Sequence, residues 1–379
     1  MDRIATLRAV SGRAACLFVI ATAVLCFYVA PASALNKIAS GSIGPVAIDS
    51  GSAYWVVFNR SGSNTVMRRV LATSTDTAVY TTRKLTFVNA LMAGGGRLAI
   101  ETSRFKNTSE DTAVLTLSPA GGGAVTLATG RYGDTQREDC GTYIRLRDVA
   151  ATGEVVVGSE QQKRVVAPCG DGANEDTMVL TGYAADGTTR LLKSATGTIK
   201  RDSSFYDRFI FKAELVGTRL LTVGTQSAEV TDLSTSGLTT YPRANTKHQI
   251  LDADLDPTGR VLFSQLYTRG SASNSRGTLQ LYTLPGNATT NSVLRSTRGY
   301  TSTADFCGSY MVEQYGAVDT LEQGNKLYRR NSAGTLMSLL YRAQPYNLIG
   351  GRNCDGGAVI FSISSDDTGT TTVYTVPLT

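Results

Sequence analysis

The feature of the sequence that most constrains its fold is a unit of about 50 residues that recurs seven times. In each unit a glycine separates two short runs rich in apolar and β-branched residues, as in VAIDSGSAYWVVF at 46–58 and NALMAGGGRLAIE at 89–101. Internal similarity at such a period is typical of repeat architectures, in which neighbouring units pack against one another. The repeat glycines are Gly51, Gly96, Gly153, Gly217, Gly259, Gly308 and Gly357, and the six intervals between them average 51 residues.

Each unit continues with further runs of β-strand character, and no segment keeps the apolar period of an amphipathic helix. The third and fourth runs are 65–71 with 78–82, 112–118 with 124–129, 177–184 with 188–193, 228–233 with 238–241, 278–284 with 292–295, and 326–331 with 335–341. Four antiparallel strands in such a unit are typical of a β-propeller blade. The sequence therefore predicts an all-β, seven-bladed propeller of four-stranded antiparallel blades over residues 35–379.

The last unit lacks a fourth run, and this predicts how the ring closes. Its third run, Thr371–Val376, is followed by only three residues. Residues 36–40 precede the first unit and can supply the missing outer strand, which removes an open sheet edge. We therefore predict that the N-terminal strand closes the ring.

One unit resembles a known repeat. Asp254, DPTGR at 256–260, VLF at 261–263 and GTLQLY at 277–282 resemble the WD40-like (PD40) repeat of TolB-type propellers, and DGGAVIF at 355–361 is a weaker copy. The Asp-Pro-Thr-Gly sequence suits a type I turn, with Asp first, Pro second and Gly fourth. The resemblance implies the propeller fold and no specific activity, and the additional N-terminal domain expected of TolB itself is absent.

The first 34 residues have the organisation of a secretory signal peptide. Three arginines precede an uncharged stretch at 14–30, and Ala32-Ser33-Ala34 then provides a cleavage site before Leu35. An uncleaved membrane anchor is the alternative, although 17 residues is at the short limit for a bilayer span. We expect a secreted or cell-envelope protein, periplasmic or extracellular, with no membrane span after cleavage.

Four cysteines remain beyond the signal segment: Cys140, Cys169, Cys307 and Cys354. An even number in an exported protein suggests two disulfides, with three possible pairings. Cys307 and Cys354 precede the repeat glycines of successive units, whereas Cys140 and Cys169 lie at the opposite end of the third unit. The blade arrangement therefore favours the pairs Cys140–Cys169 and Cys307–Cys354.

Several kinds of active site are excluded or disfavoured. The single histidine, His248, rules out zinc motifs that need two imidazoles, and it is best interpreted as structural. Asp252, Asp254 and Asp256 resemble part of a calcium loop, but the glycine and final acid of that pattern are missing, which favours a hydrogen-bonded turn. We assign no catalytic residue, metal site or cofactor, and the absence of Lys/Arg runs argues against nucleic acid as a partner.

The longest connections are predicted on the ring face opposite the repeat glycines, which we call the long-loop face. They cover 104–111, 130–141, 161–176, 194–207, 241–249, 268–276 and 315–325. Binding residues on rigid scaffolds concentrate in loops, and Tyr and Arg suit protein contact. The predicted binding residues are Arg131, Tyr132, Arg137, Tyr206, Arg243 and Tyr300.

The leading functional hypothesis is a protein- or peptide-binding module whose partner lies in the envelope or outside the cell. One alternative is a propeller enzyme, a lyase or a glycan-active enzyme, with acidic residues at the channel mouth. The other is a carbohydrate-binding propeller. The single tryptophan, Trp55, disfavours it because it lies on a strand that the pattern predicts to be buried.

Overall fold

The computed structural model describes residues 35–378 apart from 107–108, 122, 134–138, 165–173, 200–209, 225, 270, 284–290, 318–324 and 366–367. Within these ranges the chain forms 28 β-strands and no helix. No helix in the described part of the chain is therefore long and apolar enough to cross a membrane.

The strands form seven consecutive units, preceded by β1 (Asn36–Gly41). Unit 1 contains β2 (Ile43–Asp49), β3 (Ser52–Phe58), β4 (Asn64–Val70) and β5 (Thr75–Thr81). Unit 2 contains β6 (Phe87–Gly94), β7 (Arg97–Lys106), β8 (Ser109–Leu117) and β9 (Ala124–Tyr132). Unit 3 contains β10 (Asp139–Val149), β11 (Val155–Arg164), β12 (Asn174–Tyr183) and β13 (Thr189–Ile199). Unit 4 contains β14 (Ile210–Val216), β15 (Arg219–Gly224), β16 (Ser227–Asp232) and β17 (Gly237–Pro242).

Unit 5 contains β18 (His248–Leu255), β19 (Val261–Arg269), β20 (Ser271–Tyr282) and β21 (Asn291–Arg298). Unit 6 contains β22 (Tyr300–Cys307), β23 (Tyr310–Ala317), β24 (Lys326–Asn331) and β25 (Leu336–Arg342). Unit 7 contains β26 (Asn347–Cys354), β27 (Ala358–Ser365) and β28 (Thr371–Pro377).

Each unit pairs its strands antiparallel and in chain order. Unit 7 has three strands of its own, and β1 pairs with β28 from Asn36–Thr375 to Gly41–Thr371. Units 2 and 3 are joined into one eight-stranded sheet by a single pair, Gly141 of β10 with Tyr132 of β9. The N-terminal strand therefore forms the outer edge of the last sheet.

The repeat glycines lie in the turn between the first two strands of each unit. From Gly51 to Gly308 the six predicted glycines have φ between 60° and 91°. In unit 7 the positive φ, 89°, belongs to Gly356 and not to the predicted Gly357. Residues with a side chain rarely adopt this conformation, so the turn itself accounts for the recurrence of glycine.

The apolar core lies between the units. Each of the seven clusters of buried apolar side chains among the described residues joins neighbouring units. For example, Val56 of unit 1 packs with Leu98 of unit 2, and Ile360 of unit 7 packs in one cluster with Trp55 of unit 1. The first strand of every unit contacts the first strand of the next, and β26 contacts β2. The contacts between first strands therefore run through all seven units, and we call the space beside these strands the common space.

Polar side chains near the ends of the first strands connect one unit to the next. Asp148 accepts a hydrogen bond from the backbone N–H of Leu215 at 2.7 Å, and Asp254 accepts one from Phe306 at 2.7 Å. Asn353 of unit 7 accepts one from Ile48 of unit 1 at 3.4 Å. These bonds satisfy backbone donors that would otherwise be unpaired beside the common space.

Several connections predicted as long loops are partly strands, which corrects the sequence analysis. The β7–β8 hairpin stays paired as far as Lys106–Ser109, and β11–β12 as far as Arg164–Asn174. Backbone donors and acceptors of an extended hairpin are satisfied by the partner strand. The long-loop face therefore carries projecting hairpins as well as loops.

Candidate functional site

A cavity of about 380 Å³ lies where the first strands of units 2 to 7 converge. Its lining residues precede the repeat glycines by six positions or fewer, so it lies toward the end of the common space opposite the long-loop face. We call it the central cavity. It is lined by Met92, Ala93, Arg147, Asp148, Val149, Lys212, Ala213, Glu214, Asp254, Asp305, Phe306, Arg352, Asn353 and Cys354.

Strand alternation brings charged side chains to this cavity. On β14, Ala213 and Leu215 pack in the apolar cluster between units 3 and 4, so Lys212 and Glu214 project to the other side. On β18, the same alternation buries Ala253 and Leu255 between units 4 and 5 and leaves the aspartates on the opposite side. Alternation with a period of two therefore places apolar side chains in the core and charged side chains toward the cavity.

Lys212 connects two aspartates of the neighbouring unit. Its Nζ lies 3.1 Å from an oxygen of Asp252 and 3.2 Å from one of Asp254. Burial opposes the charge of Lys212, but the carboxylates of Asp252 and Asp254 outweigh it and raise the lysine pKa well above its usual value. The lysine therefore stays charged inside the cavity.

A second ion pair lies between units 6 and 7. Arg352 donates a hydrogen bond to Asp305, and a second guanidinium nitrogen donates to the amide oxygen of Gln314 at 3.4 Å. Burial alone would raise the pKa of Asp305, but Arg352 and then Lys212 outweigh it and hold this pKa below its usual range. Arg147 donates to the carbonyl oxygen of Phe211 at 2.9 Å, which adds a third cation to the lining.

Three carboxyl groups of the central cavity have raised pKa values. Burial raises the pKa of Asp148 to about 7 and that of Asp254 to about 6. Burial, followed by the charge of Asp254, raises the pKa of Glu214 well above its usual value. Glu214 is hydrogen-bonded to Asp254 and accepts the N–H of Leu255 at 3.4 Å. Burial and the neighbouring Asp254 therefore favour the protonated form of Glu214 over its ionised form.

These acidic side chains bind cations and backbone N–H groups of the protein itself. Among the residues that the structure describes, no group of three or more His, Cys, Asp or Glu side chains is arranged to hold a metal ion. The three aspartates with calcium-like spacing have two different roles. Asp256 forms the expected turn, accepting from Thr258 at 2.7 Å and from the N–H of Arg260 at 2.8 Å, whereas Asp252 and Asp254 bind Lys212.

The predicted binding residues are spread over several units. Arg131 and Tyr132 end β9 of unit 2, where Arg131 lies 3.6 Å from Asp111. Arg243 follows β17 of unit 4, and Tyr300 begins β22 of unit 6. Arg137 and Tyr206 lie outside the described residues. Of the six, the structure brings only Arg131 and Tyr132 together among those it describes.

The disulfide prediction is confirmed for one pair. Cys307 and Cys354 are bonded, with their Cα atoms 5.6 Å apart, and they link units 6 and 7 beside the central cavity. The pairing of Cys140 with Cys169 falls outside the described residues, because Cys169 and the side chain of Cys140 are not among them.

No protein-family model matches the sequence, and no curated protein does. Solved structures do match. An oligogalacturonate lyase from Vibrio parahaemolyticus superposes with a TM-score of 0.57 at 8% identity, covering 91% of this chain and 93% of the lyase. The WD40 repeats of RRP9 superpose with a TM-score of 0.51 at 9% identity, covering 92% of this chain and 99% of that one. The fold is a β-propeller.

A third similar structure is the acylaminoacyl peptidase of Pyrococcus horikoshii, with a TM-score of 0.51 at 9% identity over 86% of this chain. This chain spans about half the length of that peptidase, 49%. At these identities the likeness concerns the fold alone, and function depends on the site that a propeller carries. The function of the central cavity therefore depends on its own chemistry, and the sequence-based predictions did not include this cavity. The one signal in the sequence was the alternation of charged and apolar residues at 212–215 and 252–255.

Proposed function

We propose that the chain is a seven-bladed propeller, each unit being one blade, with the N-terminal strand as the outer strand of blade seven. The pairing of β1 with β28 supports this, as do the contacts of β2 with both β6 and β26. The PD40-like residues at 256–263 support a TolB-type origin. The signal-like segment at 1–34 supports export to the envelope or the medium.

We propose that the central cavity is a site of acid–base chemistry on a small polar substrate. The observation that carries this proposal is the set of buried carboxyls with raised pKa values beside three cations in one cavity. Perturbed carboxyls gathered in a concave site are typical of catalytic groups. A volume of about 380 Å³ suits a small molecule or a terminal group of a larger one.

The roles follow from protonation. Asp148, with a pKa of about 7, is divided between its two forms at neutral pH and suits a general base. Glu214, whose pKa is raised well above its usual value, favours its protonated form and suits a general acid, whose product carboxylate Lys212 would stabilise. Arg147 and Arg352 can stabilise negative charge that develops on the substrate. This supports the enzyme alternative, a lyase or a glycan-active enzyme, over a purely structural channel.

The test is a substrate screen of glycosides, uronides and peptides with matched variants. Glu214→Gln keeps size and a hydrogen-bond donor but cannot transfer a proton, and Asp148→Asn keeps an acceptor for Leu215. Each should lower kcat/KM by about 100-fold or more. Asp252→Asn is the control, since Asp252 binds Lys212 but is not among the cavity-lining residues, and it should stay within about tenfold of the parent. Turnover that both Glu214→Gln and Asp148→Asn retain would contradict the proposal.

We propose partner binding on the long-loop face as a second function, because one aromatic group there is exposed. Phe105, 64% exposed, pairs across β7–β8 with Glu110, which pairs in turn with Tyr132. Tyr132 packs edge-on against Tyr143 at 5.9 Å, and Tyr143 donates to Glu110. Residues directly opposite one another project on the same face, so these side chains form one surface.

An exposed phenylalanine beside two partly buried tyrosines is a typical anchor of protein or peptide interfaces. Replacing Phe105 by Ser together with Tyr132 by Ala should abolish capture of a specific partner from envelope extract without lowering the melting temperature. Val125→Ser is the matched control, because Val125 is 63% exposed on the same strand, β9, but near its other end. Capture that the double variant retains would exclude this surface.

A further inference from the structure

A second polar cavity, of about 820 Å³, lies on unit 5. We call it the unit 5 cleft. It is at the long-loop end of the sheet, whereas the central cavity is toward the end with the repeat glycines. Its lining residues are Asn245, His248, Tyr267, Asn274, Arg276, Thr278 and Arg298.

Four of these residues form one row across the sheet. His248 of β18 pairs with Tyr267 of β19, Tyr267 with Arg276 of β20, and Arg276 with Arg298 of β21. Residues directly opposite one another in a sheet project on the same face. Phe263 lies four residues before Tyr267 and packs against Tyr241 of unit 4, so this face of the sheet is turned toward unit 4.

The cleft has an unbalanced charge. Among the described residues, two guanidinium groups and one imidazole line it, and the lining contains no carboxylate. Several other arginines have an acidic partner, as Arg260 has Asp256 and Arg295 has Glu313. Between described residues, neither Arg276 nor Arg298 forms a salt bridge, and Arg298 donates instead to the neutral amide of Asn274.

We propose that the unit 5 cleft binds a small hydroxylated ligand through an oxyanion, a carboxylate or a phosphate group, held by Arg276 and Arg298. A guanidinium group offers paired N–H donors that match the two oxygens of such an anion. Asn245 and Thr278 provide donors and acceptors for hydroxyl groups beside it. The rings of His248 and Tyr267, tilted to one another with centroids 4.9 Å apart, form an aromatic wall next to the cations.

His248 reports on this site. Burial lowers the pKa of His248, and its Nδ1 lies 2.9 Å from the side-chain oxygen of Asn245. An anion bound between Arg276 and Arg298 would favour the charged imidazole and raise that pKa. Because His248 is the only histidine of the chain, an untagged preparation gives a single imidazole signal in an NMR spectrum.

The experiment follows that imidazole signal in the full chain, titrated with sodium phosphate, sodium glucuronate or sodium chloride at one ionic strength. We expect a saturable shift and a higher His248 pKa with phosphate or with glucuronate, and the stronger of the two identifies the oxyanion. Arg276→Gln and Arg298→Gln should each weaken binding about tenfold or more. Arg276 is exposed, so its variant should fold.

Arg342→Gln is the matched control, since Arg342 is an exposed arginine on β25 of another unit, and it should bind as the parent does. Two results would overturn the proposal. One is an equal response to chloride, which would reflect general screening. The other is wild-type affinity in both Arg276→Gln and Arg298→Gln.

Discussion

Replacing Asp148 by asparagine should stabilise the protein much more at pH 8 than at pH 4.5. Burial raises the pKa of this carboxyl from its ordinary 3.8 to about 7. Between these two values the native protein keeps a proton that the unfolded chain releases, so stability is lost as pH rises through this window. The loss is complete above about pH 7, and asparagine, which does not ionise, avoids it.

The magnitude follows from the size of the shift. One pKa unit corresponds to about 1.4 kcal/mol, so a shift of about three units corresponds to about 4 kcal/mol. Asparagine can still accept the N–H of Leu215, which Asp148 binds at 2.7 Å, but it loses the attraction of Lys212 for the ionised aspartate. We therefore expect Asp148→Asn to gain about 2–4 kcal/mol at pH 8.

Urea unfolding between pH 4.5 and 8.5 measures this difference. The fluorescence of Trp55, the single tryptophan and a buried one, follows the transition. Asp305→Asn is a matched control of opposite sign, because Arg352 holds the pKa of Asp305 below its usual range and its ionised form stabilises the native state above that range. That variant should be less stable than the parent at pH 8. If both variants shift in the same direction, or Asp148→Asn follows the parent at every pH, the reasoning is refuted.

Three further predictions concern the scaffold. Deleting residues 35–42 removes β1 and leaves β28 as an open edge. We therefore expect aggregation in light scattering, or a melting temperature lower by several degrees in calorimetry. An unchanged melting temperature would contradict this prediction. Non-reducing peptide mapping should recover Cys140 linked to Cys169, and a link from Cys140 to Cys307 would disprove the pairing. Glu313→Ala should lower the free energy of unfolding by about 3–5 kcal/mol, because it leaves the buried Arg330 and the partly buried Arg295 without their carboxylate. A loss below about 1 kcal/mol in urea would show that these charges are solvated.

The fold could be predicted from the sequence because its rules are local. A left-handed turn requires glycine in nearly every unit, and strands with one core face alternate apolar and polar residues. The predicted run 326–331 coincides with β24, and 112–118 differs from β8 by one to three residues at its ends. The extensions of β11 and β12 were missed because the polar residues at 159–164 and 174–177 show no alternation of apolar and polar types.

The central cavity could not be predicted from the sequence, because its groups come from different units. Asp148, Lys212, Asp254 and Asp305 each follow an unremarkable local pattern, and about 40–65 residues separate each from the next. Their proximity arises only when the first strands surround a common space. The predicted binding residues were grouped only by their position in the repeat. The repeat places Arg131, Arg243 and Tyr300 at the same end of units 2, 4 and 6, but it does not predict which of them lie close together.

The most direct test of the central cavity is a carboxyl ¹³C NMR titration of protein labelled at aspartate and glutamate. The signals would be assigned with the Asp148→Asn and Glu214→Gln variants. We predict that Asp148 titrates with a midpoint near pH 7 and that the midpoint of Glu214 lies well above the usual range of a glutamate. Midpoints of about 4 for both groups, the value of solvated carboxyls, would contradict an acid–base site in the central cavity.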